Sequence, residues 1–157
     1  MSYIMIVYAT DEWFGSADNL LKRESPVEYV DEYCETGKCM DGWETRRKKQ
    51  EGHDYCIIKL EQPMIVNAIE IDTSYFVGNY APHVSLDCTL CPSNTFDELQ
   101  NVRKHKGRGT ETSVREYITC QKLLKRSEWF EMCKTDLKGN TNVSIESNYR
   151  RLVSHLK

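Results

Sequence analysis

The sequence predicts a single all-β domain, folded as an antiparallel jelly-roll β-sandwich with long loops and one or two short helices. The length of 157 residues suits one domain with a buried core. Apolar residues recur mainly with a period of two, and turns rich in Gly, Pro and Asn separate many short strand candidates. A series of short strands divided by such turns is typical of sandwiches and jelly rolls.

The first strand candidates lie in the N-terminal half of the chain. The apolar run at residues 3–8 is continuous, which predicts a strand covered on both faces. Residues 55–60 and 64–72 predict two further strands, the second of them half-buried. The short turn Glu61-Gln62-Pro63 between these two predicts that they pair as an antiparallel hairpin.

The remaining strand candidates lie further along the chain. Residues 83–90 alternate between apolar and polar types, so the strand predicted there directs every second side chain inward. The inward set is Val84, Leu86, Cys88 and Leu90. Residues 142–146 and 152–156 predict two strands near the end.

Helical patterns are weaker than strand patterns in this sequence. Residues 16–23 predict a short helix with Leu20 and Leu21 inward, and residues 121–130 predict a second one with poor apolar spacing. The polar, charged stretch at residues 93–112 predicts a long loop.

Composition and charge limit the classes of partner. Hydrophobic residues make up 39% of the chain and charged residues 29%, which is ordinary for a soluble globular protein. The net charge of −3 gives no electrostatic reason to expect nucleic acid, and no apolar run reaches the ~18 residues of a membrane span. Two basic runs, residues 46–49 and 103–108, lack interleaved aromatic residues and are interpreted as solvated loops. We therefore expect neither nucleic acid nor a membrane as a partner.

The cysteines indicate a reducing compartment. Seven cysteines at irregular spacing, without a secretory signal, predict free thiols in the cytoplasm. The C-terminal residues 154–157 only approximate a peroxisomal address, because such a signal ends in its leucine. Cys88 and Cys91 have zinc-like spacing, but Cys88 lies on the apolar face of a predicted strand, so core packing is the better interpretation.

Two loops carry most of the reactive side chains. Residues 37–55 hold carboxylates, two guanidinium groups, a His-Asp pair and Trp43 among three glycines. Residues 71–82 run from a strand end into a turn with Gly78-Asn79 and Pro82. Loops held by a rigid sheet are where binding and catalytic groups concentrate. The alternative interpretation is that residues 37–55 form a charged surface loop and that residues 71–82 form a plain connector.

These loops resemble the allantoicase family. The matching segments are Met40-Asp41-Gly42-Trp43-Glu44-Thr45-Arg46-Arg47, Gly52-His53-Asp54, Asp72-Thr73-Ser74-Tyr75-Phe76 and Gly78-Asn79-Tyr80-Ala81-Pro82, with Ala9-Thr10-Asp11-Glu12-Trp13-Phe14 as an opening. The resemblance covers most of residues 5–135. It implies a galactose-binding-like jelly roll, two such repeats in tandem, and hydrolysis of allantoate to ureidoglycolate and urea in purine degradation.

The resemblance also sets expectations for the domain organisation. Residues 1–157 are expected to form a single repeat that stops before its closing strand, with the second repeat absent. A missing strand would leave a sheet edge unpaired. We therefore expect the chain alone to show little turnover of allantoate and to associate or aggregate through that edge, with a homo-oligomer or pairing with a second repeat as the alternatives.

The resemblance implies a site for an anion that carries two ureido groups on one carbon. Releasing urea requires an anchor for the carboxylate and an acid-base pair near that carbon. The catalytic candidates are Asp41, Glu44, His53 and Asp54, and the substrate-binding candidates are Arg46, Arg47, Asp72, Asn79 and Tyr80. Adjacent residues of an extended segment face opposite ways, so one of the two arginines is expected to reach the substrate.

The predicted hairpin would bring residues 54 and 72 to one end of the sandwich, so the two loops are expected to form one polar pocket there. Trp43 is expected to pack beneath it. The other possible set of metal ligands, His53 with Asp54 or Asp41, has weak spacing, so no metal site is assigned, and the cofactor is left unspecified. Two alternatives stay open: a non-catalytic ligand-binding or interaction sandwich, and a carbohydrate-binding module of the same architecture.

Overall fold

A computed structural model describes residues 4–49, 51–91, 93–103, 106–146 and 153–156. Strands hold more of these residues than helices do. They are β1 (Met5–Ala9), β2 (Tyr33–Cys34), β3 (Gly37–Lys38), β4 (Cys56–Met64), β5 (Ala68–Asp72), β6 (His83–Thr89), β7 (Phe130–Asp136), β8 (Asn142–Glu146) and β9 (Val153–Leu156). The helices are a 3₁₀ helix (Ala17–Leu21), α1 (Ser93–Val102) and α2 (Val114–Leu124).

The strands form one large sheet and two small ones. The large sheet has the order β1-β4-β9-β6-β7, and the small sheets are β2-β3 and β5-β8. Every strand pairing is antiparallel. The architecture is the antiparallel β-sandwich with short helices that the sequence predicts.

β1 is buried on both faces, as its continuous apolar run predicts. Val7 and Tyr8 belong to a core cluster with Leu99 of α1 and Leu123 of α2. Ile6 belongs to a second cluster, formed with Ala9, Ala17 and Cys56. The register of β1 against β4 shifts between Ile6 and Tyr8. This bulge changes the direction of the side chains, so that the consecutive residues Val7 and Tyr8 both pack in the core cluster beneath the helices.

The predicted hairpin is wrong. Strand β4 continues through Pro63 to Met64, and β5 pairs with β8 in another sheet, with Asp72 opposite Asn142. The register of β4 against β9 jumps from Lys59 to Met64, so Pro63 falls in the irregular part of the strand. A proline that donates no hydrogen bond is tolerated there without ending the strand.

The helices also differ from the prediction. α1 occupies half of the stretch predicted as a loop, and α2 begins at Val114 rather than at residue 121. Ser113 and Glu116 form a reciprocal capping box that fixes the start of α2. Phe130 begins β7 instead of ending a helix. In the 3₁₀ helix Leu20 is 47% exposed, whereas Leu21 packs on the second core cluster.

The C-terminal strands lie where the sequence predicts them. β8 matches residues 142–146, and β9 lies within residues 152–156. β9 sits between β4 and β6, so the edges of the large sheet are β1 and β7. Cys88 of β6 is fully buried in the core, whereas Leu90 is 58% exposed because the strand ends at Thr89.

Candidate active site

Three extended segments lie side by side above the core and form the frame of the site. Residues 11–15 contact residues 43–46 through an antiparallel bridge between Gly15 and Glu44. The Gly15 N–H donates to the Glu44 carbonyl at 3.0 Å, and the Glu44 N–H donates to the Gly15 carbonyl at 3.3 Å. A Cβ at Gly15 would lie 2.9 Å from the Glu44 nitrogen and would overlap the Gly42 carbonyl. Only glycine permits this close approach.

The third segment lies on the other side of residues 11–15. Asp11 and Glu111 form an antiparallel bridge, and the Glu12 N–H donates to the Thr110 carbonyl at 2.9 Å. The Thr112 N–H donates to the Thr10 carbonyl at 3.0 Å. Residues 10–15 are therefore the middle segment, and they bring side chains from three distant parts of the chain together.

Arg46 lies at the centre of this frame. Its Nε donates to Asp11 Oδ2 at 2.8 Å, and its Nη2 makes ion pairs with Asp11 and Glu111. The guanidinium carbon lies 5.0 Å from the centre of the Trp13 ring, in cation–π geometry. Hydrogen bonding to Glu111, and then to Asp11, raises the pKa of Arg46 against the opposing effect of burial. The side chain of Asp11 is 10% exposed and that of Glu111 is 55% exposed, so Asp11 is the fixed partner.

Glu44 joins the two predicted loops. Asn79 Nδ2 donates to Glu44 Oε1 at 2.5 Å. A Cβ on Gly42 would lie 2.8 Å from the Phe76 ring, so that ring covers the glycine next to Trp43. Burial raises the pKa of the half-buried Glu44 carboxyl, and the hydrogen bond from Asn79 offsets part of that rise. A half-buried carboxyl group with a raised pKa, on a loop that carries other polar side chains, is a candidate for proton transfer.

We expect Glu44→Gln to stabilise the protein at neutral pH and to lose that advantage in acid. A carboxyl whose folded-state pKa is raised favours folding below its unfolded pKa, about 4.3. That contribution is lost as the pH rises through the folded-state pKa. The difference in unfolding free energy between Glu44→Gln and the parent should therefore grow across that range and then level off. Urea unfolding at a series of pH values measures it, and a difference that is constant with pH would contradict the prediction.

Two of the predicted acid-base residues are held in local ion pairs. Asp41 pairs with Lys22 and accepts the Val27 N–H at 2.9 Å. Burial raises the pKa of the Asp41 carboxyl, but the bonds from Lys22 and Val27 lower it by more, so the pKa lies below its ordinary value. Asp54 Oδ1 accepts from Thr10 Oγ1 and from Lys48 Nζ, both at 2.8 Å. Both carboxylates tie loops to neighbouring segments.

The other predicted residues occupy the periphery. His53 is exposed, with its ring centre 6.0 Å from that of Tyr55. Arg47 is exposed, whereas Arg46 is half-buried, which agrees with the expected alternation of the two arginines. Asp72 is exposed and accepts the N–H of Ser74 at 2.7 Å.

Tyr80 and Trp43 serve packing. A Cβ on Gly139 would lie 2.6 Å from the Tyr80 ring, so Tyr80 covers that glycine. Trp43 packs against the second core cluster beneath the loop, as expected, and its Nε1 donates to the Asp11 carbonyl at 2.8 Å. The two loops thus meet through Glu44 and Asn79, without the hairpin that the sequence predicts.

Three residues at the centre of the site are missing from the sequence-based assignment. Asp11 and Trp13 lie in the opening segment that carries the family resemblance, so a signal for them was present. Glu111 lies in a stretch that the sequence marks only as polar, and its pairing across 65 residues leaves no local pattern.

The second basic run contains a buried residue. Arg103 is 4% exposed, and its guanidinium forms an ion pair with Glu12 in which both side chains are 2% exposed. Glu12 Oε1 also accepts the Ala17 N–H at 2.8 Å. The interpretation of this run as a solvated loop is wrong for Arg103, which anchors the middle segment of the site to the core.

The described residues contain no group of three or more His, Cys, Asp and Glu side chains arranged to hold a metal ion. None of the helices in the described part of the chain is long and apolar enough to cross a bilayer.

Comparisons with known proteins converge on one family. The allantoicase repeat family matches residues 4–157. The chain is 45% identical to an allantoicase from Dictyostelium discoideum over 102 residues, which are 62% of this chain and 27% of the relative. It is 46% identical to a probable allantoicase from Ralstonia nicotianae over 85 residues, 54% of this chain and 25% of the relative.

Solved structures agree. An allantoicase from Saccharomyces cerevisiae superposes with a TM-score of 0.60 at 25% identity, over 98% of this chain and 39% of that one. A second allantoicase structure gives a TM-score of 0.61 at the same identity and coverage. The chain thus spans about a quarter of the curated relatives.

Proposed function

This chain belongs to the allantoicase repeat family, and on that premise we propose that it binds allantoate and takes part in its hydrolysis to ureidoglycolate and urea. The observation that carries the proposal is the half-buried Glu44 carboxyl, which has a raised pKa and accepts a hydrogen bond from Asn79. Glu44 lies two positions before Arg46, which pairs with Asp11 and Glu111. An acid-base group and an anion-binding group thus lie on one segment.

Glu44 supplies the proton chemistry in this proposal. Hydrolysis breaks the bond between the central carbon of allantoate and one ureido nitrogen, and water adds to that carbon. The departing nitrogen needs a proton, and a carboxyl with a raised pKa holds one at higher pH than an ordinary glutamate does. Asn79, exposed at the loop tip, fixes the Glu44 carboxyl by donating to Oε1.

Arg46 supplies the anchor for the substrate carboxylate. A guanidinium presents paired N–H donors that match a carboxylate. In the structure the Glu111 carboxylate accepts from Nη2 of Arg46, and the Glu111 side chain is 55% exposed. We place the substrate carboxylate where Glu111 lies, with Asp11 holding Arg46 in position. The exposed Arg47 is the alternative anchor.

Glu111→Gln should tighten allantoate binding roughly two- to fivefold. The change removes a negative charge that competes for Arg46, and exposed ion pairs are worth about 0.5–1 kcal/mol. Arg46→Met should weaken binding strongly, because it removes the anchor itself. Isothermal titration calorimetry of the chain with allantoate measures both effects. Glu51→Gln, an exposed carboxylate in the same loop, is the matched control. Weaker binding by Glu111→Gln would assign that carboxylate to the substrate contact instead.

The test of the function itself compares ligands and products. The chain is expected to bind allantoate, and not galactose, with an affinity that Arg46→Met abolishes. Binding of galactose alone would support the carbohydrate-binding alternative, and binding of neither would overturn the proposal. We propose that turnover requires a form in which this repeat is joined to a second one, either in one chain or in a homo-oligomer. We also propose that the protein acts in the cytoplasm, where thiols stay reduced. Urea release by the chain alone, at ~1 per second or faster, would show that one repeat suffices.

A further inference from the structure

Two cysteines face each other across the β2–β3 hairpin. Cys34 pairs with Gly37, and the Cys39 N–H continues the ladder by donating to the Glu32 carbonyl at 2.9 Å. Cys39 is two residues beyond Gly37, so Cys34 and Cys39 are diagonal neighbours on one face of the hairpin. Their sulfur atoms lie 3.2 Å apart.

The surroundings fix both sulfurs. Cys34 Sγ lies 3.0 Å from the Gly37 carbonyl oxygen, to which the thiol donates. Arg108 Nη1 donates to Cys39 Sγ at 3.6 Å, and Nη2 donates to the Lys38 carbonyl at 3.4 Å. Both cysteines are half-buried, so small reagents reach them from solvent. A hairpin that already holds two accessible thiols in contact favours ring closure between them, since the two sulfur atoms need not be brought together from a distance.

The buried thiols have a different environment. Cys56, Cys88 and Cys120 are buried. Burial raises the pKa of the Cys56 thiol to about 12, and partial burial also raises the pKa of the half-buried Cys133 thiol. Because the thiolate is the reactive form, Cys56 and Cys133 are poor substrates for oxidation.

We propose that Cys34 and Cys39 form a thiol-oxidation site that exchanges reversibly with low-molecular-weight disulfides such as glutathione disulfide. One cysteine thiolate attacks a sulfur of glutathione disulfide, forms a mixed disulfide and releases one glutathione. The second cysteine thiolate then attacks the protein sulfur of that mixed disulfide, which forms the Cys34–Cys39 bond and releases the second glutathione. The two cysteines lose two electrons and two protons, and two glutathione thiols carry them away. Excess glutathione reverses both steps.

The proposal is tested by equilibrating the chain with mixtures of reduced and oxidised glutathione, followed by rapid alkylation and mass spectrometry. In the oxidised mixtures two of the seven cysteines should become protected, and peptide mapping should join Cys34 to Cys39. Reduced glutathione should restore both alkylation sites. Cys34→Ser should instead accumulate a mixed glutathione disulfide on Cys39, because the resolving thiol is gone.

Cys133→Ser, a half-buried cysteine on β7, is the matched control and should leave the protection unchanged. Phenylarsine oxide, which bridges two neighbouring thiols, gives a second readout that needs no oxidant, and Cys34→Ser should abolish its uptake. The proposal is overturned if Cys34 and Cys39 remain alkylated in every mixture, or if the protected pair maps elsewhere.

Discussion

Replacing the buried Arg103 by methionine should lower the free energy of unfolding by about 3–5 kcal/mol, because it leaves the Glu12 carboxylate as an uncompensated buried charge. Both side chains are 2% exposed, and Glu12 also accepts from Ser16 Oγ at 3.2 Å and from the Gly107 N–H at 3.3 Å. In the described residues Nε and Nη1 of Arg103 have no hydrogen-bond partner, so the guanidinium depends on Glu12. Urea unfolding at pH 7 measures the loss.

The control for this prediction is Arg126→Met. Arg126 pairs with Glu98 at 2.8 Å, but their side chains are 52% and 45% exposed, so the expected loss is below about 1 kcal/mol. The double variant Glu12→Gln with Arg103→Met should lose less than the sum of the single losses, because it removes both charges together. If Arg103→Met cost no more than Arg126→Met, Arg103 would not anchor the middle segment of the site.

The sequence predicts six of the nine described strands, because their signals are local, and it misses the two-residue strands β2 and β3 and the strand β7. The apolar run of β1, the alternation in β5 and the apolar face of β6 each depend on residues within one strand. Strand partners are decided elsewhere. Nothing near Pro63 indicates that β5 pairs with a strand 70 residues away rather than with its sequence neighbour. Pairing follows from how two apolar faces close over the core, which is a property of the whole chain.

The helices show how a weak local pattern hides real structure. α1 lies in a polar stretch whose single deeply buried apolar side chain in the described set is Leu99. Tertiary packing of that side chain against Val7 and Tyr8 stabilises a helix that propensity alone leaves marginal. The start of α2 did carry a signal, since Ser113 followed by Glu116 is the pattern of a capping box.

The site shows the same division between local and distant information. The loop motif predicts Glu44, Arg46 and Asn79 as site residues, and in the structure Asn79 donates a hydrogen bond to Glu44. The sequence cannot show that Arg46 is already paired with two carboxylates, because Asp11 and Glu111 lie 35 and 65 residues away. That pairing bears on the chemistry, since Glu111 already accepts from Nη2 of the guanidinium that the proposal assigns to the substrate anion.

Glu44→Gln should lower kcat for urea release by roughly 10²–10⁴-fold while changing the affinity for allantoate little. Glutamine keeps an acceptor oxygen for Asn79 and the shape of the side chain, but it has no carboxyl proton to transfer. The assay is steady-state urea release in a two-repeat form, obtained by placing this repeat in the position of its matching segment in the Dictyostelium discoideum allantoicase.

The pH dependence provides an independent arm of the same experiment. If the protonated Glu44 carboxyl donates to the departing nitrogen, kcat of the parent should fall as the pH rises through the raised pKa of Glu44, and the residual rate of Glu44→Gln should lack that step. Glu51→Gln should retain both the parent rate and the step, because its carboxylate is exposed. Equal kcat values for Glu44→Gln and Glu51→Gln would remove Glu44 from the proton transfer. The acid would then have to be sought among the exposed groups of the same loop, beginning with His53.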